Sequence, residues 1–530
     1  MNRNDAARER RISWLTLAAL WLFLLLLATL RPLVIPDEGR YGEIGRWMLH
    51  SGDWLTPRLN GLPFFHKPPY VYWLEAASLA VFGVHDWALR LGPALHAGLM
   101  LLTLYLGARQ ALGEVLARRA VWMFGSGLGF LIGGHYVNHD MAVACWIGVA
   151  IGCFAYAFLA GERPAPGLAR LGFVACALGV LSKGLIGLAL PGLVLLIWLL
   201  ATGLWRRLHR LPWVSGLALF LALALPWFVL VERQYPGALD SLFVKHQFER
   251  YTEAVYNNPQ PVWFYLPVLL LLMFPWALMV PLAWRRQPGG ASDAAGTGPL
   301  AGPVTLLCWI WLVAILVFFS IPNSKLIGYV LPVLPPMALL AALGWERLAA
   351  GRPAAGRWLA LLCAANLLGA LVLVSRVGAS TADGRAQDVA RELVCAAAPG
   401  DTLWVSGGYP YDLPFYARWP RPLLVAGDWP AWRQRSGDGW QRELFEGADF
   451  DAAAAQVLQS PQALEAAGTR PGQWWVTLGR AAPPAAGAWV LHFQGAGWAL
   501  YRSGGDSAAK RPEPAQPKSL AGCQHQGQRQ

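Results

Sequence analysis

PDEGRYGEIGRWMLHSGDWLTPRLNGLPFFHKPPYVYWL, residues Pro36–Leu74, sets acids, bases and aromatics directly behind an apolar run from Ile12 to Leu30. That run exceeds the roughly 7–15 residues of a signal-peptide core, and no Ala-x-Ala-like cleavage site follows it. It is therefore expected to remain as a membrane anchor. The cluster RERR at residues 8–11 precedes it, and positive charge holds its side of a span in the cytoplasm. The polar stretch emerges on the other side, tethered to the bilayer.

Composition points the same way, with 56% hydrophobic and 14% charged residues over 530 positions. Little is left for a large soluble domain. The formal charge of +12 comes from arginines in short clusters between apolar runs. This is the pattern of membrane topology rather than of nucleic-acid binding, so no nucleic-acid partner is expected. Of the seven cysteines, Cys145, Cys153, Cys176, Cys308 and Cys363 fall within apolar runs and Cys395 and Cys523 elsewhere. No metal-site or disulfide spacing appears.

Tyr70 to Phe82 is apolar but covers only about 20 Å of a hydrocarbon core about 30 Å thick, so it reads as an interfacial helix. Spans follow at about 87–106, 120–134, 141–160, 167–182, 185–202, 212–231, 261–283, 303–320, 326–343 and 357–375. With the first run they make eleven crossings. Gly and Pro interruptions between Leu181 and Leu200 allow a further short pair, giving a range of eleven to thirteen. Arg109, Arg118 and Arg119, then Arg163 and Arg170, then Arg206, Arg207 and Arg210, then Arg285 and Arg286, then Arg347, Arg352 and Arg357 all fall in turns of one side.

The expected architecture is an α-helical polytopic membrane domain over residues 1–376, whose first outer loop is 31–86. An extracytoplasmic α/β domain over 377–502 follows, with strands at DTLWVSGG, QWWVTLG and AWVLHFQGAGWALYR. Residues 503–530 are polar and read as a disordered tail.

This topology collects the unusual polar residues on the outer side. The first loop supplies Asp37, Glu38, Arg40, Tyr41, Glu43, His66 and Lys67; GGHYVNHDM supplies His135, His139 and Asp140. Lys183 ends its span. Two further segments supply Lys245, His246, Arg250 and Tyr251, and Ser320, Ser324, Lys325 and Tyr329. Ionisable groups at a membrane mark a site by default. Lys67, Lys183, Lys325 and Arg250 can clamp a phosphate, Arg in bidentate fashion and Lys as a movable charge, and the Tyr329 phenol can donate to it. Asp37 and Asp140 can position or deprotonate an acceptor hydroxyl, or hold a divalent cation. A phosphate leaving group stabilised by cations needs no proton, which fits glycosyl transfer from a lipid phosphate.

At these residues the chain resembles the membrane glycosyltransferases of the GT-C class, in the bacterial branch of lipid A aminoarabinose transferases and relatives of protein O-mannosyltransferases. DEGRY at Asp37–Tyr41 and GLPFFHKPPYVYW at Gly61–Trp73 carry the likeness, continued by HDMAV, LSKGLIGLALPG, KHQFERY and SKLIGYVLPVLPP to about residue 345. The resemblance implies a GT-C fold, with Asp37 as the first-loop acid needed for transfer and Asp140 a second acid, Glu38 standing beside Asp37. Lys67, Arg250 and Tyr329 would hold the phosphate of the polyprenyl carrier, Arg40 and Lys183 would join the polar cavity, and Tyr41, Phe64 and Phe65 would line the sugar or lipid channel. Where the family has Glu before Lys-Pro-Pro, this chain has His66, so either a metal of another kind is bound or none.

The expected function is transfer of a sugar from an undecaprenyl-type phosphate, with inversion, to lipid A or another periplasmic acceptor at the inner membrane. Transfer to protein, in the manner of O-mannosyltransferases, is the alternative acceptor chemistry. A lipid-linked sugar transporter is the rival of another class; it would set its polar residues near the bilayer midplane on broken helices. No cofactor beyond a divalent metal is implied.

Overall fold

The computed structural model describes residues 3–249, 259–284, 299–380, 385–435, 437–479 and 488–504. The chain divides into two compact units, one of residues 1–31 and 65–376, the other of 32–64 and everything from 377 onward. The first outer loop, expected to belong with the membrane domain, is thus split: its first half clusters with the C-terminal residues.

Among the described residues, eight helices are long and apolar enough to cross a bilayer: Asn4–Thr29, Leu91–Leu112, Asp140–Leu159, Pro166–Lys183, Trp213–Gln234, Ala301–Ser320, Ile327–Ala349 and Ala355–Val377. The protein is an integral membrane protein. The other three expected spans are present as interrupted or shorter elements. The run at 120–134 breaks at Ser126 and Gly127 between Glu114–Gly125 and Leu128–Gly133. There the Ser126 hydroxyl bonds back to the Trp122 carbonyl at 2.7 Å and accepts from Trp276 at 3.1 Å. The run at 261–283 turns through 110° between Tyr265–Leu272 and Trp276–Trp284, at Pro275, which has no N–H to continue the helix. Ile186–Thr202 is an apolar helix of 17 residues with Pro191 inside it. Tyr70–Phe82 is the short helix its apolar run foretold.

Ile327–Ala349 is 78% buried over its apolar window, against 22% for Ala355–Val377 and 28% for Trp213–Gln234. The first is therefore central and the other two peripheral. Their exposed leucines, among them Leu217, Leu221, Leu361 and Leu368, form a surface suited to lipid, where helix association rests on packing rather than on expulsion of water. The arginine turns close helix ends. Arg118 pairs with Glu9 at 2.6 Å, which brings the N-terminal helix and the 109–119 turn to one end. Arg207 donates to the Gly161 carbonyl and Arg347 to that of Leu282, cations set where C-terminal carbonyls lack partners. Arg90, wholly buried, donates to the carbonyls of Ala28 and Arg31 at 2.8 and 2.7 Å and so closes the first span.

The second unit holds a six-stranded sheet built from β3 (Thr402–Ser406), β4 (Leu424–Ala426), β5 (Leu458–Gln459), β6 (Gln473–Leu478), β7 (Trp489–Gln494) and β8 (Trp498–Ser503), after a small hairpin of β1 (Arg58–Leu59) and β2 (Leu62–Pro63). The order is β5-β4-β3-β6-β8-β7. β5, β4, β3 and β6 run parallel, and β8 and β7 complete the sheet antiparallel. Parallel neighbours need crossovers, which the helix Leu413–Ala417 supplies between β3 and β4 and the helices Trp429–Arg435 and Trp440–Ala448 between β4 and β5. All three segments read as strands are strands. β4 and β5 are too short to show an alternating pattern. Ser503 ends β8, and the expected tail lies, beyond Gly504, outside the described residues.

In the hairpin, Asn60 and Gly61 have positive φ, as an Asn-Gly turn requires. The buried Asn60 amide then pairs with Leu423 in both directions, donating to its carbonyl at 2.9 Å and accepting from its N–H at 2.7 Å. A side chain here imitates a strand partner at the entry to β4.

Candidate functional site

In the first unit, Asp140 opens the helix Asp140–Leu159 and Lys183 closes the helix Pro166–Lys183. An acid at an N-terminus and a base at a C-terminus each complement the helix dipole. The two form an ion pair through Asp140 Oδ1, with side chains only 11% and 12% exposed. Asn138 fixes the acid from the other side: its Oδ1 accepts from the Asp140 N–H at 2.9 Å and its Nδ2 donates to Oδ2 at 3.0 Å. The Lys183 ammonium lies 4.6 Å from the centroid of the Tyr329 ring, a favourable cation–π distance. Tyr329 packs in turn on Phe319 at 5.1 Å. Gly328 is what admits the carboxylate: a Cβ there would fall 2.5 Å from Asp140 Cγ.

Three of the expected residues thus meet in one cluster: Asp140, Lys183 and Tyr329. Lys67 and His66 are half-buried on the Pro-Pro turn before Tyr70. The His66 ring stacks on His246 with centroids 3.8 Å apart, and Phe65 packs against Tyr235 at 5.2 Å. Lys325 does not join a phosphate clamp as expected; it is buried with its ammonium held by the carbonyls of Gln260, at 2.9 Å, and Pro322. Lys245 is exposed. Arg250 and Tyr251 lie outside the described residues.

The second unit contains Asp37, Glu38, Arg40 and Tyr41, on the helix Asp37–Ser51. Asp37 is half-buried and pairs with Arg40 one turn on; Arg40 pairs at its other nitrogen with Glu443, whose second oxygen accepts from the Tyr411 hydroxyl at 2.7 Å. The guanidinium also lies over the rings of Tyr41 and Tyr411, at 4.9 and 5.6 Å. Expected among the donor-binding residues, Arg40 is engaged by four neighbours. Glu38, expected beside Asp37 as an acid of the site, is wholly buried with Oε2 accepting from the Val34 N–H at 2.8 Å. That contact caps the turn leading into the helix. A turn further along, Arg46 grips Glu43 through two bonds of 2.6 Å and donates to the Trp419 carbonyl at 2.9 Å. Burial raises the carboxyls of both Glu43 and Glu443 above the usual range, against the opposing pull of Arg46 and Arg40.

Sequence reasoning passed over Asn138, Gly328, Glu443 and Tyr411. The first had a local signal, an Asn two residues before a helix-opening acid. Glu443 had none, since its partner Arg40 is hundreds of residues away in the chain.

The chain is similar to several known proteins. Residues 66–230 match the family of dolichyl-phosphate-mannose-protein mannosyltransferases. The undecaprenyl phosphate-alpha-4-amino-4-deoxy-L-arabinose arabinosyl transferase of Pseudomonas savastanoi pv. phaseolicola is 35% identical over 370 residues, covering 68% of this chain and 66% of that protein. The enzyme of the same name from Pseudomonas aeruginosa (strain UCBPP-PA14) is 34% identical over 336 residues, 63% of this chain and 59% of its own. The matches therefore span slightly less than two thirds of these relatives. A crystal structure of ArnT from Cupriavidus metallidurans bound to undecaprenyl phosphate superimposes with a TM-score of 0.78 at 25% identity, over 95% of this chain and 99% of that one. The chain is thus similar in sequence to the undecaprenyl phosphate-aminoarabinose arabinosyl transferases and shares the fold of ArnT over nearly its whole length.

Proposed function

We propose that the protein moves a sugar from an undecaprenyl-type phosphate to lipid A or a similar acceptor on the periplasmic face of the inner membrane. The observation that carries this reading is the cluster of Asp140, Lys183 and Tyr329, an acid, a base and a phenol brought together at helix ends. The likeness to ArnT with bound undecaprenyl phosphate supports the donor class.

In this reaction Lys183, Lys67 and Arg250 supply cationic charge to the departing phosphate, and Tyr329 donates a hydrogen bond to it. Their stabilisation grows as charge develops on the leaving oxygen, which lowers the barrier rather than merely binding the donor. Lys183 is paired with Asp140 beforehand, so its ammonium is oriented before a phosphate arrives. Asp37 is the residue we assign to the acceptor. An acceptor phosphate is already ionised near neutral pH, since its second pKa is about 6, and Asp37 then orients it. For a sugar or protein hydroxyl, Asp37 takes the proton as general base. A single displacement inverts the anomeric carbon.

A divalent ion would suit the pair His66 and His246, whose ring nitrogens approach within 4.8 Å. Imidazoles favour zinc-class ions over magnesium or calcium. Bound there, such an ion would add Lewis-acid stabilisation of phosphate charge. The transporter reading is less well supported, because Asp140 and Lys183 stand at the first and last residues of their helices rather than within them.

The test is transfer of label from radiolabelled polyprenyl-phosphate sugars to extracted lipid A and to membrane proteins, in vesicles bearing wild type or Asp37→Asn. Label moved by wild type and lost in the variant supports the reading and identifies the acceptor class. Equal label in both removes Asp37 from the chemistry.

A further inference from the structure

We infer that Glu443 and Tyr411, in the C-terminal part of the chain, are positioning residues for the transfer, acting through Arg40 on Asp37. The inference rests on the role proposed for Asp37 above.

The geometry forms a relay. Tyr411 donates to Glu443, Glu443 grips one terminal nitrogen of Arg40, and the other terminal nitrogen holds Asp37. Exposure rises along it, from 9% for the Glu443 side chain through 15% for Arg40 to 34% for Asp37. The anchored end is buried and the working end is open to a reactant. A lone Asp–Arg pair one turn apart on a helix contributes little, too little to hold a carboxylate in one orientation. A guanidinium fixed elsewhere is different, because its planar fork passes the orientation of one bonded acceptor to the other. The rings of Tyr41 and Tyr411 further restrict that plane.

The backbone makes the same connection. Gly39 lies so near the Tyr411–Asp412 peptide that a Cβ would meet Asp412 N at 3.0 Å and Tyr411 C at 3.1 Å. The helix bearing Asp37 is seated against the residues that anchor Arg40. Buried ion pairs of this kind add little net stability, and their use lies in fixing one arrangement. A carboxylate that must meet an acceptor group in line is where such fixing matters, as misplacement by about 1 Å can cost about 100-fold in rate.

The experiment compares wild type, Glu443→Gln, Tyr411→Phe, Arg40→Lys and the double variant Arg40→Lys/Glu443→Gln, all full-length in membrane vesicles. Glutamine cannot accept from Arg40 and Tyr411 with the same oxygen pair, so Glu443→Gln is expected to lower kcat by about 10- to 100-fold while the donor KM stays within about twofold. Tyr411→Phe, which deletes one hydroxyl, should lower kcat by about threefold. The double variant should be no slower than Arg40→Lys, since both changes cut one relay. Hydrogen exchange in residues 37–51 should rise in Glu443→Gln, whatever the acceptor. Unchanged kcat in folded Glu443→Gln and Tyr411→Phe, a proportional rise in KM, or additive losses in the double variant would overturn the relay. Should Glu443→Gln fail to accumulate, Tyr411→Phe decides. A wild type that transfers no sugar sinks the proposed reaction instead, and exchange in residues 37–51 still reports on the relay, which unchanged protection would refute.

Discussion

Replacing Gly328 by alanine puts one methyl group against the carboxylate of Asp140, and the structure says how far that carboxylate must move. The new Cβ would stand 2.5 Å from Asp140 Cγ and 3.1 Å from its Cβ, whereas unstrained carbon pairs sit about 3.5–4.0 Å apart. Asp140 Cγ must therefore retreat by about 1 Å, or the turn carrying Tyr329 must. Asp140 cannot swing freely, because Asn138 holds Oδ2 and Lys183 holds Oδ1. Either adjustment separates the acid from Lys183 or Lys183 from Tyr329. Crowding a packed position costs about 1–3 kcal/mol in stability, and a displacement of about 1 Å among reacting groups costs about 100-fold in rate. The expected result is a fall of about 100-fold in transfer rate with a modest drop in thermal midpoint, read by label transfer and by melting in detergent. Gly302→Ala is the control, since a Cβ there meets nothing within 4 Å; it should alter neither. If Gly328→Ala keeps its rate within about threefold, the cluster around Asp140 is not where the chemistry is organised.

Three other substitutions test the framework. Asn60→Ala removes the two buried bonds to Leu423 and strands both backbone groups, which should destabilise the second unit by about 2–4 kcal/mol in a denaturant titration. Arg90→Met leaves the Ala28 and Arg31 carbonyls without this donor and should lower the midpoint by an amount equivalent to about 3 kcal/mol; an unchanged midpoint would dismiss the cap. Burial pushes the Asp412 carboxyl up to about 7 from an ordinary 3.8, against the N–H of Ala386. The folded chain then holds that proton to higher pH than the unfolded chain. Its contribution is fully present below about pH 4, is lost as pH rises towards 7, and is flat above, by at most about 4 kcal/mol. Asp412→Asn should therefore stabilise at pH 8 and do little at pH 4, and a gain that is equal at both would count against the buried proton.

The membrane half of the fold was legible because a span is written locally, in uninterrupted apolar residues and the arginines that flank them. Eight expected spans stand as such helices. The three that differ do so at features visible one residue at a time but not by average hydropathy: Ser126 bonding back to its own helix, Pro191, and Pro275 at the 110° bend. The second unit was legible in its longer strands and silent in β4 and β5. Most opaque was the placing of residues 32–64 with the C-terminal unit. The contacts responsible, Asn60 with Leu423 and Arg58 with Asp451, join residues more than 360 positions apart, and nothing local in either segment announces its partner.

The site divides along the same line. Asp140, Lys183 and Tyr329 could be named in advance because each is an ionisable or phenolic group in an apolar setting, where its presence demands a reason. What arranges them could not, since Asn138 and Gly328 are ordinary residues whose importance is purely positional. Lys325 shows the converse error. It carries the same charge as Lys183 in much the same kind of sequence, yet it is occupied by two backbone carbonyls, at a break where helical hydrogen bonding has stopped. Sequence thus reveals which groups have charge to spend, while the fold decides whether that charge goes to a ligand or to the chain itself. On that criterion Lys183, whose partner is another side chain that can be exchanged for a phosphate, is the better candidate of the two. Lys183→Met should accordingly abolish transfer, while Lys325→Met should first lower the thermal midpoint; the reverse order of effects would show that the two lysines had been assigned each other's work.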